Sequence, residues 1–216
     1  MNLTGHIFEQ KFKMPRAHKD MKHKIAVINF INTERMFLAK ALSCTSGYWL
    51  TQNRNVYEWK SLFKIDESQI YSFNNRFLII ASSFIERINL DSIFSDFISD
   101  GAVFTEVLLL NLKMNEKSVE FNKQAEIAMI ENILNVTGKY AAQHYDMVIH
   151  VKNTDSKSFD ELSVKFYEKY NIAYRLYDGG NIKDILKNII REIEIPQTQS
   201  VESAVYEAEQ SVALRN

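Results

Sequence analysis

Apolar and polar positions alternate between two patterns along the chain. A near-continuous run of apolar and β-branched residues covers residues 24–31 (KIAVINFI), which is typical of a strand buried on both faces of a parallel sheet. We expect this run to be the central strand. The next stretch has helical composition, with Asn32 or Thr33 as the predicted N-cap and Gly47 at the left-handed C-cap position.

The same order of strand and then helix repeats to the end of the chain. Further strands are predicted at residues 48–51, 97–101, 146–151 and 172–178. One or two helices are predicted within 66–88, with Asp66 as cap, and single helices at 103–114, 118–143, 158–170 with Ser158 as cap, and 182–193. The last helix has the cleanest amphipathic spacing. Strands separated by helices favour right-handed crossovers, so the pattern predicts an α/β fold: a three-layer sandwich with a mostly parallel sheet flanked by helices.

The chain of 216 residues contains no linker rich in Pro, Gly or Ser, which favours one domain with appended ends. We divide it into a basic N-terminal arm (residues 1–23), an α/β body (24–195) and a C-terminal helical tail (196–216). The tail has a shallow apolar stripe that we expect to dock on its own domain or on a partner, formed by Val201, Ala204, Val205, Ala208 and Val212.

Composition and charge exclude several classes of protein. Apolar residues make up 46% and charged residues 25% of the chain, values typical of a soluble globular protein, and the formal net charge is −1. The first 24 residues are basic, with Lys11, Lys13, Arg16, Lys19, Lys22 and Lys24 against Glu9 and Asp20. This arm is either a nucleic-acid contact or one of two oppositely charged ends that meet each other or a neighbouring subunit. We favour a merely solvated or docking segment, because no interleaving of aromatic and basic residues continues into the body.

The apolar stretches are shorter than the ~20 residues that cross a bilayer, so no membrane association is expected. Cys44 is the only cysteine, which excludes an internal disulfide and is typical of a reducing cytoplasm, of a host cell or of a virus-infected cell. The histidines lack the spacing of a metal pair, so no metal site is predicted.

Taken in order, these segments resemble the deoxynucleoside and thymidylate kinase group of P-loop kinases over roughly residues 24–193. In that group a first strand runs into G-x-x-x-x-G-K-[ST] and a helix that often ends in a run like LAKAL, which stands here at residues 38–42. The alignment places Asn29 and Glu34 at the two glycines, Arg35 at the lysine and Met36 at the Ser/Thr.

These replacements remove the chemistry of a phosphate loop. Bare backbone N–H groups cradle the phosphates, the lysine reaches the β and γ oxygens, and the hydroxyl binds Mg²⁺. Glu34 would instead point a carboxylate at the phosphates, and Met36 cannot bind magnesium. A remnant anion site would consist of Asn32, Thr33, Arg35 and Lys40; the alternative for Arg35 and Lys40 is ordinary charge on the helix surface.

The second family feature, an Asp-Arg pair after a central strand, is reduced to Asp100 followed by Gly101. Asp100 is the one candidate catalytic acid, although an acid before a glycine turn also has local hydrogen-bonding reasons. The resemblance implies a nucleotide-kinase-like scaffold without its catalytic residues. We therefore expect a non-catalytic protein that requires no cofactor and acts through a protein partner or its own copies.

Two alternatives stay open. The first is a divergent nucleoside or nucleotide phosphotransferase that uses ATP and Mg²⁺, with Arg35 on the phosphate and Asp100 as base. The second is a nucleic-acid-binding accessory protein that uses its basic arm. The aromatic segment at residues 47–63 is expected to pack in the core and at its rim, rather than on a base or a partner.

Overall fold

The computed structural model describes residues 23–52, 54, 56–69, 72–116, 123–153 and 156–213. The basic arm, apart from residues 23 and 24, lies outside the described residues. Five strands form one sheet: β1 (Lys24–Ile28), β2 (Trp49–Gln52), β3 (Phe97–Asp100), β4 (Met147–Val151) and β5 (Tyr174–Tyr177). The helices are α1 (Asn32–Ser46), α2 (Val56–Phe63), α3 (Phe73–Ile93), α4 (Thr105–Glu116), α5 (Lys123–His144), α6 (Lys157–Tyr170), α7 (Ile182–Ile193) and α8 (Val201–Ala213).

The sheet has the order β2-β3-β1-β4-β5, and every strand pairing in the described residues is parallel. The predicted central position of β1 is confirmed, because β1 pairs with β3 on one side and with β4 on the other. Its residues from Ile25 to Ile28 have no exposed surface, as expected for a strand covered on both faces. The predicted α/β sandwich is therefore the observed architecture.

Helices cover both faces of the sheet, and the alternating side chains of β1 divide the core between them. Ile25 and Val27 pack in one cluster with α1, α7 and α8, whereas Ala26 and Ile28 pack in the other with α4, α5 and α6. The amphipathic stripe predicted for α7 is confirmed, since Ile185, Leu186, Ile189, Ile190 and Ile193 are all buried in the first cluster.

The connections out of β1 and β4 run in opposite directions. β1 leads through α1 to β2 at one edge of the sheet, and β4 leads through α6 to β5 at the other. The loops after these two neighbouring strands therefore diverge and leave a crevice outside their carboxyl ends, which is where open α/β sheets bind ligands.

The C-terminal helix packs on its own domain. α8 lies against α1, with Val201, Val205 and Ala208 buried in the first cluster, and Thr198 donates its backbone N–H to the Thr45 carbonyl at 2.7 Å. The sequence left two docking sites open for the apolar stripe of the tail, its own domain or a partner. The stripe packs on its own domain.

Helix ends show where local sequence signals hold and where they fail. Gly47 caps α1 as predicted, with φ of 74° and its N–H donated to the Ser43 carbonyl. The caps predicted for α1 and α6 are wrong, because Ile31 and Ser156 stand at those N-cap positions and Asn32, Thr33 and Ser158 do not. The segment predicted from residue 66 forms two elements: Asp66 directly precedes a short 3-10 helix (Glu67–Gln69), and α3 begins after Ser72. The side chains of Asn29 and Asp160 accept backbone N–H groups at the starts of α1 and α6, as shown below.

Sequence analysis missed α2, which lies inside the aromatic segment. Trp59 on this helix is buried against Ile79 and stacks on Phe63 with ring centroids 5.3 Å apart, so core packing is confirmed for Trp59. Trp49, at the start of the edge strand β2, stacks on Phe94 at 4.8 Å and is still 62% exposed.

Gly138→Ala tests the packing of α5 on α6. A Cβ at Gly138 would lie 2.5 Å from the ring of Tyr170, so alanine must displace the ring or the helix. Alanine normally stabilises a helix interior by about 1 kcal/mol relative to glycine, but overpacking costs about 1–3 kcal/mol. We expect Gly138→Ala to lower the free energy of unfolding in urea, whereas the exposed control Asn132→Ala on the same helix leaves it equal or higher. A more stable Gly138→Ala protein would contradict this packing.

Candidate functional site

The junction between β1 and α1 is short and filled by side chains. Residues 29–31 connect the two elements, whereas the family's G-x-x-x-x-G spacing would occupy residues 29–34 before its helix. Asn29 is buried; its Oδ1 accepts the backbone N–H of Ile31 at 2.6 Å, and its Nδ2 donates to Glu34 Oε2 at 3.2 Å. Side chains therefore occupy the start of α1, where a phosphate loop presents bare backbone.

Arg35 and Asp100, the residues predicted at the phosphate and at the reacting hydroxyl, bind each other. Arg35 Nε donates to Asp100 Oδ1 at 2.7 Å, and the two side chains are only 10% and 9% exposed. Gln52 Nε2 also donates to Asp100, at 3.4 Å from Oδ2. For Arg35, the alternative of ordinary surface charge is wrong, because this side chain is buried at the carboxyl end of β3.

The backbone explains why glycine follows Asp100. Gly101 has φ of 89°, a left-handed conformation that side-chain-bearing residues rarely adopt, and its N–H donates to the Val27 carbonyl at 3.0 Å. A Cβ there would contact the Arg35 guanidinium at 3.6 Å. An arginine at this position would be strained and would crowd a second cation against Arg35.

The other predicted anion-site residues are spread along α1. Asn32 is the first residue of α1, and the structure does not describe its side chain. Thr33 is exposed and lines the crevice described below. Lys40 is half-buried, eight residues after Asn32 and so about 12 Å further along the helix axis. The structure thus brings Arg35 to Asp100 and leaves Lys40 apart.

Arg87, a buried arginine that sequence analysis missed, donates hydrogen bonds to oxygens at the same edge of the sheet. Arg87 Nη1 donates to the Thr51 carbonyl at 3.0 Å and to Ser99 Oγ at 2.6 Å, and Arg87 Nη2 donates to the Asp100 carbonyl at 2.7 Å. It thereby ties the ends of β2 and β3 together. The available sequence signal was the spacing of Arg87 and Asp91, four residues apart on one helix; their charged atoms lie 3.8 Å apart.

Asp91 extends this network to α5. It accepts from Thr51 Oγ1 at 2.9 Å and from the Tyr145 hydroxyl at 2.8 Å. Burial raises the pKa of the Asp91 carboxyl, and Arg87 opposes that rise. Burial also raises the pKa of Tyr145, so its hydroxyl stays protonated and donates. These groups stabilise the fold and offer no accessible nucleophile.

A second buried polar cluster holds the loop after β4. His150 is fully buried, with Tyr167 Oη 2.8 Å from Nδ1 and Asp160 Oδ1 2.7 Å from Nε2. Burial raises the pKa of the Tyr167 hydroxyl, which therefore stays protonated, and the two ring nitrogens of His150 thus bind one hydroxyl and one carboxylate. Asp160 also accepts the backbone N–H of Asn153 at 3.2 Å, which fixes the entry to α6 without the predicted serine cap.

An open cleft of ≈ 550 Å³ lies at the carboxyl ends of β1, β4 and β5, in the crevice that the topology predicts. Its apolar walls include Phe37, Leu38, Ile182 and Ile185. Its polar lining residues are Asn29, Thr33, Glu34, Lys152 and Asn153, together with the turn at Gly179 and Gly180. Neither Arg35 nor Asp100 lines it, so the ion pair and the cleft are separate features of the same sheet edge.

The part of the chain that the structure describes contains neither a cluster of metal ligands nor a helix that could span a membrane. No group of three or more His, Cys, Asp or Glu residues there is arranged to hold a metal ion. None of the helices described has the length and apolar composition to cross a membrane. No protein-family model matches the chain, and no curated protein matches it in sequence.

The pH dependence of stability tests the buried environment of His144, whose ring stacks on Tyr140 beside Asp91. Burial, with Lys24, lowers the pKa of His144 to about 4. The unfolded chain therefore binds a proton on His144 near pH 6.5, whereas the folded chain binds it only near pH 4. The contribution of neutral His144 to the free energy of unfolding is lost as the pH falls from about 6.5 to about 4. The raised pKa of Asp91 has the opposite effect on the free energy of unfolding, which it increases as the pH falls.

His144→Phe keeps an aromatic ring and removes the titrating group. We expect the variant to gain about 2 kcal/mol of unfolding free energy relative to the parent when the pH is lowered from 7 to 5, measured by urea unfolding at both values. An unchanged difference between the two proteins would show that His144 titrates normally in the fold.

Proposed function

We propose that this protein is non-catalytic and acts by binding other proteins or its own copies, on a scaffold like that of the nucleotide kinases. The observation that carries the proposal is the buried pair of Arg35 and Asp100. The cation that the alignment assigns to phosphate and the acid that it assigns to catalysis neutralise each other, away from the cleft.

The energetic argument concerns what a phosphate would have to replace. Removing one partner of a buried ion pair typically costs about 3–5 kcal/mol, because the other charge is left uncompensated. A nucleotide held by Arg35 would have to overcome this cost. It would also meet Glu34 at the start of α1, where the carboxylate adds repulsion.

Phosphoryl transfer depends almost entirely on positioned cations and backbone donors. The phosphotransferase alternative therefore requires Arg35 to leave Asp100, the first turn of α1 to open, and Asn29 to give up its bond to the Ile31 N–H. These three requirements support the non-catalytic proposal over the enzymatic one, and they support the expectation that ATP and Mg²⁺ are not needed.

Exposed apolar side chains on β2 and α3 are available for contacts with other proteins. Trp49, Ile85 and Ile93 are 62%, 59% and 67% exposed; single exposed apolar residues are common on protein surfaces, so the proposal rests on the ion pair. The nucleic-acid alternative concerns the basic arm, which lies outside the described residues, and it stays a prediction.

Isothermal titration calorimetry tests the proposal. We expect ATP, GTP and the deoxynucleoside triphosphates, each with Mg²⁺, to bind no more tightly than about 1 mM. A panel of nucleosides with ATP should give no phosphotransfer. Magnesium-dependent binding in the micromolar range that is lost in Arg35→Met, with the variant still folded by circular dichroism, would refute the non-catalytic proposal and favour the phosphotransferase.

A further inference from the structure

The cleft at the carboxyl ends of β1, β4 and β5 has the lining of a site for an amphipathic side chain. Phe37, Ile182 and Ile185 supply apolar walls, and Glu34 stands at the start of α1 beside them. Long basic side chains bury an apolar stem and keep a charged head solvated or paired, which matches such a lining.

The buried side chain of Asn29 positions the Glu34 carboxylate. Asn29 donates to its Oε2 at 3.2 Å, and Asn29 is itself anchored by accepting the Ile31 N–H at 2.6 Å. Because Asn29 is only 4% exposed, it positions the Glu34 carboxylate from the protein side, and Glu34 itself is exposed to an incoming ligand.

The cations near the cleft are already engaged with carboxylates. Lys152 Nζ lies 2.9 Å from Asp178 Oδ1, and Arg35 is turned away to Asp100. The lining carries one acid, Glu34, and one base, Lys152. Because Lys152 pairs with Asp178, which is not a lining residue, Glu34 is the charged lining residue that remains for an incoming cation.

We propose that this cleft binds a lysine or arginine side chain of a partner protein, with the stem against the apolar walls and the charged head at Glu34. The inference rests on the proposed function, because it names the chemistry of the partner. A nucleotide or another anion would face Glu34, a purely apolar group would cover Glu34 and Asn153 without pairing them, and a single carboxylate does not make a site for a hard cation.

Gly180 provides a way to block the cleft without disturbing the fold. A Cβ at Gly180 meets no atom within 4 Å, whereas one at the neighbouring Gly179 would lie 2.9 Å from the Lys152 carbonyl. Gly180→Leu thus adds volume at the cleft wall, while Gly179 is unsuitable because the backbone passes too close.

The test is a titration followed by ¹H–¹⁵N NMR, using acetyl-Leu-Arg-Leu-amide as the probe and its citrulline analogue as the uncharged match. We expect saturable shifts at Thr33, Lys152 and Gly180 with the arginine probe. Affinity should be about tenfold weaker for the citrulline probe and for Glu34→Gln, because a charge-assisted hydrogen bond is lost. Gly180→Leu should abolish the shifts. The control Glu126→Gln, in the first turn of α5 on the other face of the sheet, should bind like the parent.

Equal affinity for the arginine and citrulline probes, or no saturable shift at the cleft in the parent protein, would overturn this inference. Those outcomes leave the non-catalytic proposal intact when nucleotides also fail to bind. Magnesium-dependent binding of a nucleotide that displaces the probe from the cleft would overturn both.

Discussion

A buried ion pair between the first turn of α1 and the end of β3 is the interaction on which the carboxyl edge of this sheet depends. Arg35 and Asp100 join a helix to a strand 65 residues away, at a donor–acceptor distance of 2.7 Å. Each charge is tolerable in a largely dry site only because the other is present. The pair therefore holds the first turn of α1 against the end of β3, next to the left-handed Gly101.

Other polar groups reinforce this edge without making it reactive. Arg87 donates hydrogen bonds to the carbonyls of Thr51 and Asp100. The cluster of His150, Asp160 and Tyr167 holds the loop after β4. The chemistry-bearing residues bind one another, and the open volume lies further along the edge, toward β5. The crevice that open α/β sheets use for ligands is therefore separate here from the buried ion pair.

Periodicity in the sequence was sufficient for the architecture. β1 was recognisable because both of its faces are apolar, and α7 because its stripe follows the helical repeat. The N-caps of α1 and α6 were not predictable, because the start of α1 depends on Asn29 accepting the Ile31 N–H and the start of α6 on Asp160 accepting the Asn153 N–H. Asp100 and Arg35 were each named as candidates, but their pairing depends on the strand order, which a single sequence does not state.

A double-mutant cycle on Arg35→Met and Asp100→Asn, measured by urea unfolding, tests most directly whether the two charges serve the fold. Each single variant should lose about 3 kcal/mol, and the double variant should lose at least about 2 kcal/mol less than the sum of the two, because the second substitution removes a charge that the first had left unpaired. Losses that add to within about 0.5 kcal/mol, with a stable Asp100→Asn protein, would contradict the account, because they would show that the two charges do not stabilise the fold as a pair.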